Sequence, residues 1–533
     1  MPFHDLFRRC SVEIERCIAG RNLKFGRRIH AHLLKTSIIN HTFLANQLIH
    51  MYAVCGGRLD TDALKVLDEM PHPDIISYNS VISALGRHGR NREALYVFHQ
   101  MQRSCSFEIA MDIFTAVGIM CACGGLGELG LVKQVHGLMI TIGLKLNGVA
   151  FNSLMCNYGK CGDFHSSRRV FDRMFSVRDE LSWTTMLGVY RHNGQLKDAF
   201  WVFETMPVKN VVSWTMLISG YVQNDHEEDA LKIFRKMMMQ GVIMPNSFTL
   251  VSVLNACANL AIIASGKQIH GHIVRSCCIE VDRSGIFLSN ALIDMYAKCG
   301  EIVLAMLLFE IIPQRDIISW NSMISGFAQH GNVKQAIAIF ERMEKSHIAP
   351  NHVTFLSVLS ACNHAGLLYE CRFYFELMEK KYGICPKREH YAVLIDLLGR
   401  NSYLKEAVEL LEHMPDEGRL SDTRCWGSLL ASCRLYGDLD LAKRVSKLLF
   451  NLEPENSGRC AMMSNIYAAA GKWEESRTLR GLMRNRGLSK EPGCSWIEVK
   501  HMRHTFVSED KSHPRTEEIY WLLFNLVDQL KEP

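Results

Sequence analysis

The chain has 533 residues, 48% of them hydrophobic, and a formal net charge of +5. That apolar content excludes a disordered polymer, and the charge is too small for the length to announce a nucleic-acid binder by itself. Nineteen cysteines without one C-x-x-C spacing exclude zinc-knuckle and thioredoxin-type sites, and no 18-residue apolar run predicts a membrane span.

At the N-terminus Arg8 and Arg9 are offset by Asp5, Glu13 and Glu15, so no transit peptide is evident, and repeat-like sequence begins near Phe7. From there the chain repeats itself. NQLIHMYAVCG (from Asn46), NSLMCNYGKCG (from Asn152) and NALIDMYAKCG (from Asn290) form one set of near-identical words. ISYNSVIS (from Ile76), LSWTTMLG (from Leu181), VSWTMLIS (from Val212) and ISWNSMIS (from Ile318) form a second. GRRIHAHLL, KQVHGLMI and KQIHGHIV, with His30, His136 and His270, form a third. A period of roughly 30 to 40 residues predicts a solenoid of stacked supersecondary units.

The stretch 317–351 shows the unit. Trp320, Met323, Ile324 and Phe327 share one face of a first helix, which Gly331 stops. Asn332 caps a second helix whose apolar face is Ala336, Ile339, Phe340 and Met343, and Pro350 breaks the chain before the next unit. Aligning the words gives units at 7–41, 42–74, 75–112, 113–147, 148–179, 180–210, 211–246, 247–285, 286–316, 317–351, 352–387 and 388–422, with insertions expected in 75–112 and 247–285. Residues 1–6 are an N-terminal stub. Cys17, Cys123, Cys257 and Cys362 share one register and Cys55, Cys161 and Cys299 another. All seven are expected to be reduced, buried side chains at helix contacts. Trp183, Trp214, Trp320 and the three repeated histidines are expected to pack rather than to bind. The lone H-x-E match at His226 and Glu228 is expected in a solvated turn between helices.

VSWTMLISGYVQN, NALIDMYAKCG and ISWNSMISGFAQHG resemble plant pentatricopeptide repeat proteins of the PLS subclass, in which P-type, long and short units alternate. EHYAVLIDLLGR (from Glu389) is similar to the last short motif of that family, 423–456 and 457–492 to its two E motifs, and 493–533 to its E+ extension. The resemblance implies an all-α fold, a right-handed superhelical α-solenoid of helix-turn-helix repeats spanning 7–422, followed by E motifs over 423–492. It implies sequence-specific binding of single-stranded organelle RNA, in a mitochondrion or alternatively a chloroplast, with no membrane partner and no cofactor. The family's longer members end in a zinc-dependent cytidine deaminase domain, which needs H-x-E and C-x-x-C ligands. This chain reaches Pro533 without that pair, so no enzymatic activity of its own is expected.

The resemblance also assigns readers: the fifth residue of each unit and its last residue. A terminal Asp only accepts hydrogen bonds and suits the ring N–H of uracil or guanine, whereas a terminal Asn can also donate and suits adenine or cytosine. Asn46 with Asp74, Asn79 with Asp112, Asn152 with Asp179 and Asn290 with Asp316 are then expected to prefer U. Thr184 with Asn210 and Thr215 with Asn246 are expected to prefer A, and Asn321 with Asn351 C or U. Val117, Val251, Leu356 and Ala392 occupy the fifth position of their units and are expected to read nothing. Ile76, Val212 and Ile318 are expected as apolar wedges between bases. Counted back from an edited cytidine, the site reads 5′-U-U-n-U-A-A-n-U-Y-n-n-n-n-n-C. The implied function is a specificity factor for C-to-U RNA editing that recruits a DYW-type deaminase in trans through the E region. The alternatives are an RNA splicing, stability or translation factor, or a protein-binding scaffold of tetratricopeptide type.

Overall fold

Each repeat word becomes a helix. The expected unit starts at 42, 75, 113, 148, 180, 211, 247, 317, 352, 388, 423 and 457 are the first residues of helices, and each is followed by a second helix before the next start. The first helix of the chain, Phe3–Gly20, begins before position 7, and Arg283–Lys298 begins before 286. This computed structural model describes residues 3–36, 38–55, 62–104, 111–174, 178–276, 283–412, 414, 423–488, 493–499, 502–507 and 510–530. The cores of the insertions expected in 75–112 and 247–285, at 105–110 and 277–282, lie outside the described residues.

Local chemistry sets the helix ends. Asp316 opens Ile317–Gln329 by accepting from the Ser319 N–H, while the Ser319 hydroxyl reaches back to the Asp316 backbone, a capping box. The helix buries Trp320, Met323, Ile324 and Phe327, as the periodicity predicts. Gly331 then takes φ +68°, where a side chain would be strained. Asn332 caps Val333–Lys345, which buries Ala336, Ile339, Phe340 and Met343.

Residues 1–252 and 253–533 form two compact units. Within the first, Ile75–Arg87 contacts its partner Asn91–Ser104 and the equivalent helix Ile113–Leu126 of the following repeat. Within the second, Ile317–Gln329 contacts Val333–Lys345 and His352–His364 in the same way. Such nearest-neighbour stacking of helix pairs is an α-solenoid, in which each pair buries its apolar faces only against the next.

The repeated aromatics pack between helices. Trp183, Trp214 and Trp320 stand edge-on to Phe171, Phe203 and Phe309 at centroid distances of 4.9, 4.6 and 5.0 Å, the geometry that the ring quadrupole favours. Arg178 and Arg315 lie over Phe171 and Phe309 and donate to those residues' carbonyls at 3.0 and 2.8 Å. Arg178 and Arg315, each next to its cap residue Asp179 or Asp316, are thereby tied to the preceding helix. His30, His136 and His270 do more than fill space: each ring nitrogen bonds a tyrosine hydroxyl, of Tyr52, Tyr158 and Tyr296, at 2.8, 2.9 and 2.9 Å.

Cys17, Cys123, Cys257 and Cys362 are buried, but Cys55, Cys161 and Cys299 are only half-buried, because they sit at helix C-termini beside the turn. No disulfide joins two cysteines among the described residues. His226 is exposed at the N-cap position before Glu227–Gln240, in the connection between helices, and its side chain makes no capping hydrogen bond. No helix among the described residues is long and apolar enough to cross a membrane.

The helical array gives way at its C-terminal end to an antiparallel hairpin, Cys494–Val499 with Met502–Val507. This two-stranded sheet is an exception to the all-α expectation. The helix that follows, Thr516–Gln529, buries none of its residues.

Candidate nucleic-acid interface

The last residue of one unit is the N-cap of the next unit's first helix. In all seven predicted pairs this side chain offers Oδ1 to the backbone N–H three residues on, at 2.7 to 3.0 Å: Asp74 to Ser77, Asp112 to Thr115, Asp179 to Ser182, Asn210 to Ser213, Asn246 to Thr249, Asp316 to Ser319 and Asn351 to Thr354. The cap engages Oδ1, and the second terminal atom, Oδ2 of Asp or Nδ2 of Asn, remains to set whether the residue accepts or donates.

Four predicted pairs meet directly. Asn46 donates to Asp74 at 3.2 Å, Asn79 to both oxygens of Asp112 at 3.0 and 3.2 Å, Asn290 to Asp316 at 3.1 Å, and Asn321 to Asn351 at 3.3 Å. Thr215 reaches Asn246 only through the Thr249 hydroxyl, with legs of 2.6 and 2.9 Å. The other two pairs stay apart. Thr184 spends its hydroxyl on the Glu180 and Leu181 carbonyls, while Asn210 turns its amide N–H to the Glu180 carboxylate. Asn152 is buried with neither amide atom hydrogen-bonded.

Two of the carboxylates have perturbed acidity. Burial works to raise Asp74, but hydrogen bonds from Ser77 and Asn46 outweigh it and hold the carboxyl below its ordinary range. The Ser182 hydroxyl and backbone N–H do the same for Asp179; the smallest contribution, from Asn152, falls short of a hydrogen bond of ordinary geometry. Both are anions at neutral pH, acceptors only.

Beside each predicted reader lies an exposed apolar residue. Ile76, Val212 and Ile318 are 58%, 49% and 47% exposed on the second position of their helices. Sequence reasoning missed the rest of this series: Phe43, Phe114, Val149, Leu181, Phe248, Phe287 and Val353 hold the same second position and are all exposed. Unit register alone would have found them, since every unit from 42 to 387 has one. In the first compact unit a groove of about 1100 Å³ brings the parts together, lined by Asn79 and Asp112, by Ile76, Phe114 and Val149, and by the cations Arg87 and Lys160. Val117, expected to read nothing, lines it as apolar wall.

Family models fit this architecture along most of its length. The PPR repeat matches at 149–177, 181–211, 287–317, 353–382 and 389–419, a second form of it at 72–102, the PPR repeat family at 209–259 and 315–364, and the E motif at 436–498. The chloroplastic pentatricopeptide repeat-containing protein CRR2 of Arabidopsis thaliana is 37% identical over 97% of this chain and 73% of its own. The chain belongs to the pentatricopeptide repeat family. A mitochondrial pentatricopeptide repeat-containing protein of Arabidopsis thaliana is also 37% identical over 97% of this chain, which spans 54% of that relative's length. Among solved structures, the pentatricopeptide repeat protein PPR10 in complex with an 18-nt psaJ RNA element covers 92% of the chain at 16% identity and a TM-score of 0.49. The pentatricopeptide repeats, with the E motif behind them, fit the PLS pattern of alternating units.

Proposed function

We propose that the chain is a sequence-specific single-stranded-RNA-binding protein of a plant organelle and that it selects a cytidine for C-to-U editing. The observation that carries this is the repeated junction: a fifth-position Asn or Thr with a cap-anchored Asp or Asn, flanked by an exposed apolar side chain, recurring at seven unit junctions. Fixed hydrogen-bonding tips can address Watson–Crick edges only where bases are unpaired. Exposed Ile, Val, Leu and Phe side chains supply apolar surface between successive bases, and Arg87 and Lys160 supply charge for the phosphates. A peptide-binding scaffold would leave the pairing of a fifth-position Asn or Thr with a terminal Asp or Asn unexplained.

The E motif at 436–498 and the exposed apolar helix behind it favour editing over simple protection of a transcript. In this reading the repeats choose the site and the C-terminal region recruits a DYW-type deaminase in trans. Mitochondrion is the first assignment and chloroplast the second, since relatives carry both labels. The test is binding of the purified chain to 5′-UUNUAANUYNNNNNC RNA as a single strand and as a duplex. Single-strand binding should be tighter by tenfold or more and should weaken with salt at a slope of about −0.7 per phosphate contact. Equal affinity for the two forms would overturn the reading.

A further inference from the structure

The long units begin at 113, 247 and 352, and their own fifth residues, Val117, Val251 and Leu356, carry no hydrogen-bonding atom. Their third residues are Thr115, Thr249 and Thr354, each 0% exposed. All three hydroxyls make the same double contact backwards, into the unit before. Thr115 Oγ1 lies 2.7 Å from Asn79 Oδ1 and 2.8 Å from Asp112 Oδ1. Thr249 Oγ1 lies 2.6 Å from Thr215 Oγ1 and 2.9 Å from Asn246 Oδ1. Thr354 Oγ1 lies 2.6 Å from Asn321 Oδ1 and 3.1 Å from Asn351 Oδ1. Where a unit opens instead with a third-position serine, the contact is mostly lost. Ser77 and Ser182 reach only their own cap residues, and Ser213 bonds the Asn210 backbone carbonyl. Ser319 alone reproduces the double contact, at 2.7 Å to Asn290 and 2.9 Å to Asp316.

We propose that Thr115 and Thr354 are positioning residues through which two of the long units lock the amide base reader of the preceding unit. The argument is one of polarity. A side-chain amide has a donor end and an acceptor end that exchange on a half-turn of the terminal torsion. A buried hydroxyl beside Asn79 Oδ1 holds the acceptor end inward. The donor end then faces the Asp112 carboxylate, and its second N–H is left for the base. Without that hydroxyl the amide is free to turn and present its carbonyl, inverting what the unit asks of a nucleotide. The threonine methyl, packed in the same buried site, restricts the hydroxyl's own torsion, which a serine does not do. On this view a unit that reads nothing itself fixes how its neighbour reads.

The proposal rests on the RNA-reading function, so the experiment separates the two. Affinities of the full chain are measured for 5′-UUNUAANUYNNNNNC RNA and for a version with C in place of the second U, the nucleotide assigned to 75–112. The parent should prefer U. Thr115→Val keeps the backbone N–H that Asp112 caps and nearly the same shape, but removes the hydroxyl. Its U-over-C preference should fall by about three- to tenfold, the worth of one hydrogen bond, while the preference for A at the nucleotides of 180–210 and 211–246 is unchanged. Thr115→Ser should restore part of the preference. A parent without preference at that nucleotide overturns the reading and the lock together. A parent with preference, and Thr115→Val with the same ratio but uniformly weaker binding, overturns the lock alone. Should Thr115→Val not fold, Thr354→Val is scored the same way on pyrimidine against adenine at the nucleotide of 317–351.

Discussion

Asn290 donates its side-chain N–H to the carboxylate of Asp316 across 3.1 Å, although 26 positions separate them in the chain. Asp316 in turn caps the helix Ile317–Gln329 through Ser319. One carboxylate thus joins two units and presents a tip outward, and its two duties can be separated by substitution. Asp316→Ala removes both and should cost about 1 kcal/mol of stability, the usual worth of an N-cap. Asp316→Asn retains the cap and should leave the melting temperature nearly unchanged while moving the preference of 286–316 from U toward C. Melting curves and affinities on U and C RNAs check this; equal destabilisation by both substitutions contradicts it.

The apolar series predicts a binding effect without a stability effect. Phe248 is 73% exposed, so Phe248→Ala exposes little that was covered and should not shift the melting temperature. It should lower affinity for the single-stranded site by fivefold or more, given about 1–3 kcal/mol for a base stacked on an aromatic ring. An unchanged affinity would show that the second position of this long unit touches no base.

Acidification should weaken the fold through His136 and His270. Burial, with Arg173 nearby for His136, lowers both below the ordinary imidazole value. Above about pH 6.5 folded and unfolded chains both hold these rings neutral and nothing is lost. As the pH falls through 6.5 the unfolded chain takes up protons first, so stability drops until the lowered folded values are passed. Replacing both by Gln keeps a partner for Tyr158 and Tyr296 and removes the titration. The double variant should lose less melting temperature than the parent between pH 7.5 and 5.5, and an equal loss would assign the acid sensitivity elsewhere.

At the C-terminus, Trp521 and Leu522 are 68% and 56% exposed and line a groove of about 860 Å³ with Ile497 and Phe506 of the hairpin. Replacing Trp521 and Leu522 by Ser should leave RNA affinity intact and abolish editing in a complementation assay. Retained editing would remove this face from the recruitment model.

Much of this was legible because the deciding forces are local. Apolar spacing, a capping Asn or Asp and a stopping glycine all act within a few residues, and so the unit around Trp320 and Phe340 could be read directly. Contacts between units were less legible. The bonds from His30, His136 and His270 to tyrosines span 22, 22 and 26 positions, and only stacking brings those rings together. The same holds for the readers: Asn321 and Asn351 could be paired by register, but not the failure of Thr184 to reach Asn210. That failure has a cause no spacing rule contains, because Glu180 competes for the Asn210 amide. The hairpin at 494–507 was missed because it lies beyond the last helix pair.

The most direct test concerns Asn246, whose Oδ1 accepts from the Thr249 N–H at 2.9 Å and whose Nδ2 is the donor proposed to face the base. Asn246→Asp keeps the cap and replaces a donor by an acceptor. The variant should lose about 1–3 kcal/mol on the A-A site, roughly tenfold or more in affinity, and recover it when the second A, the nucleotide of 211–246, becomes G. A variant that binds both RNAs as the parent does would make Asn246 a helix cap and nothing more.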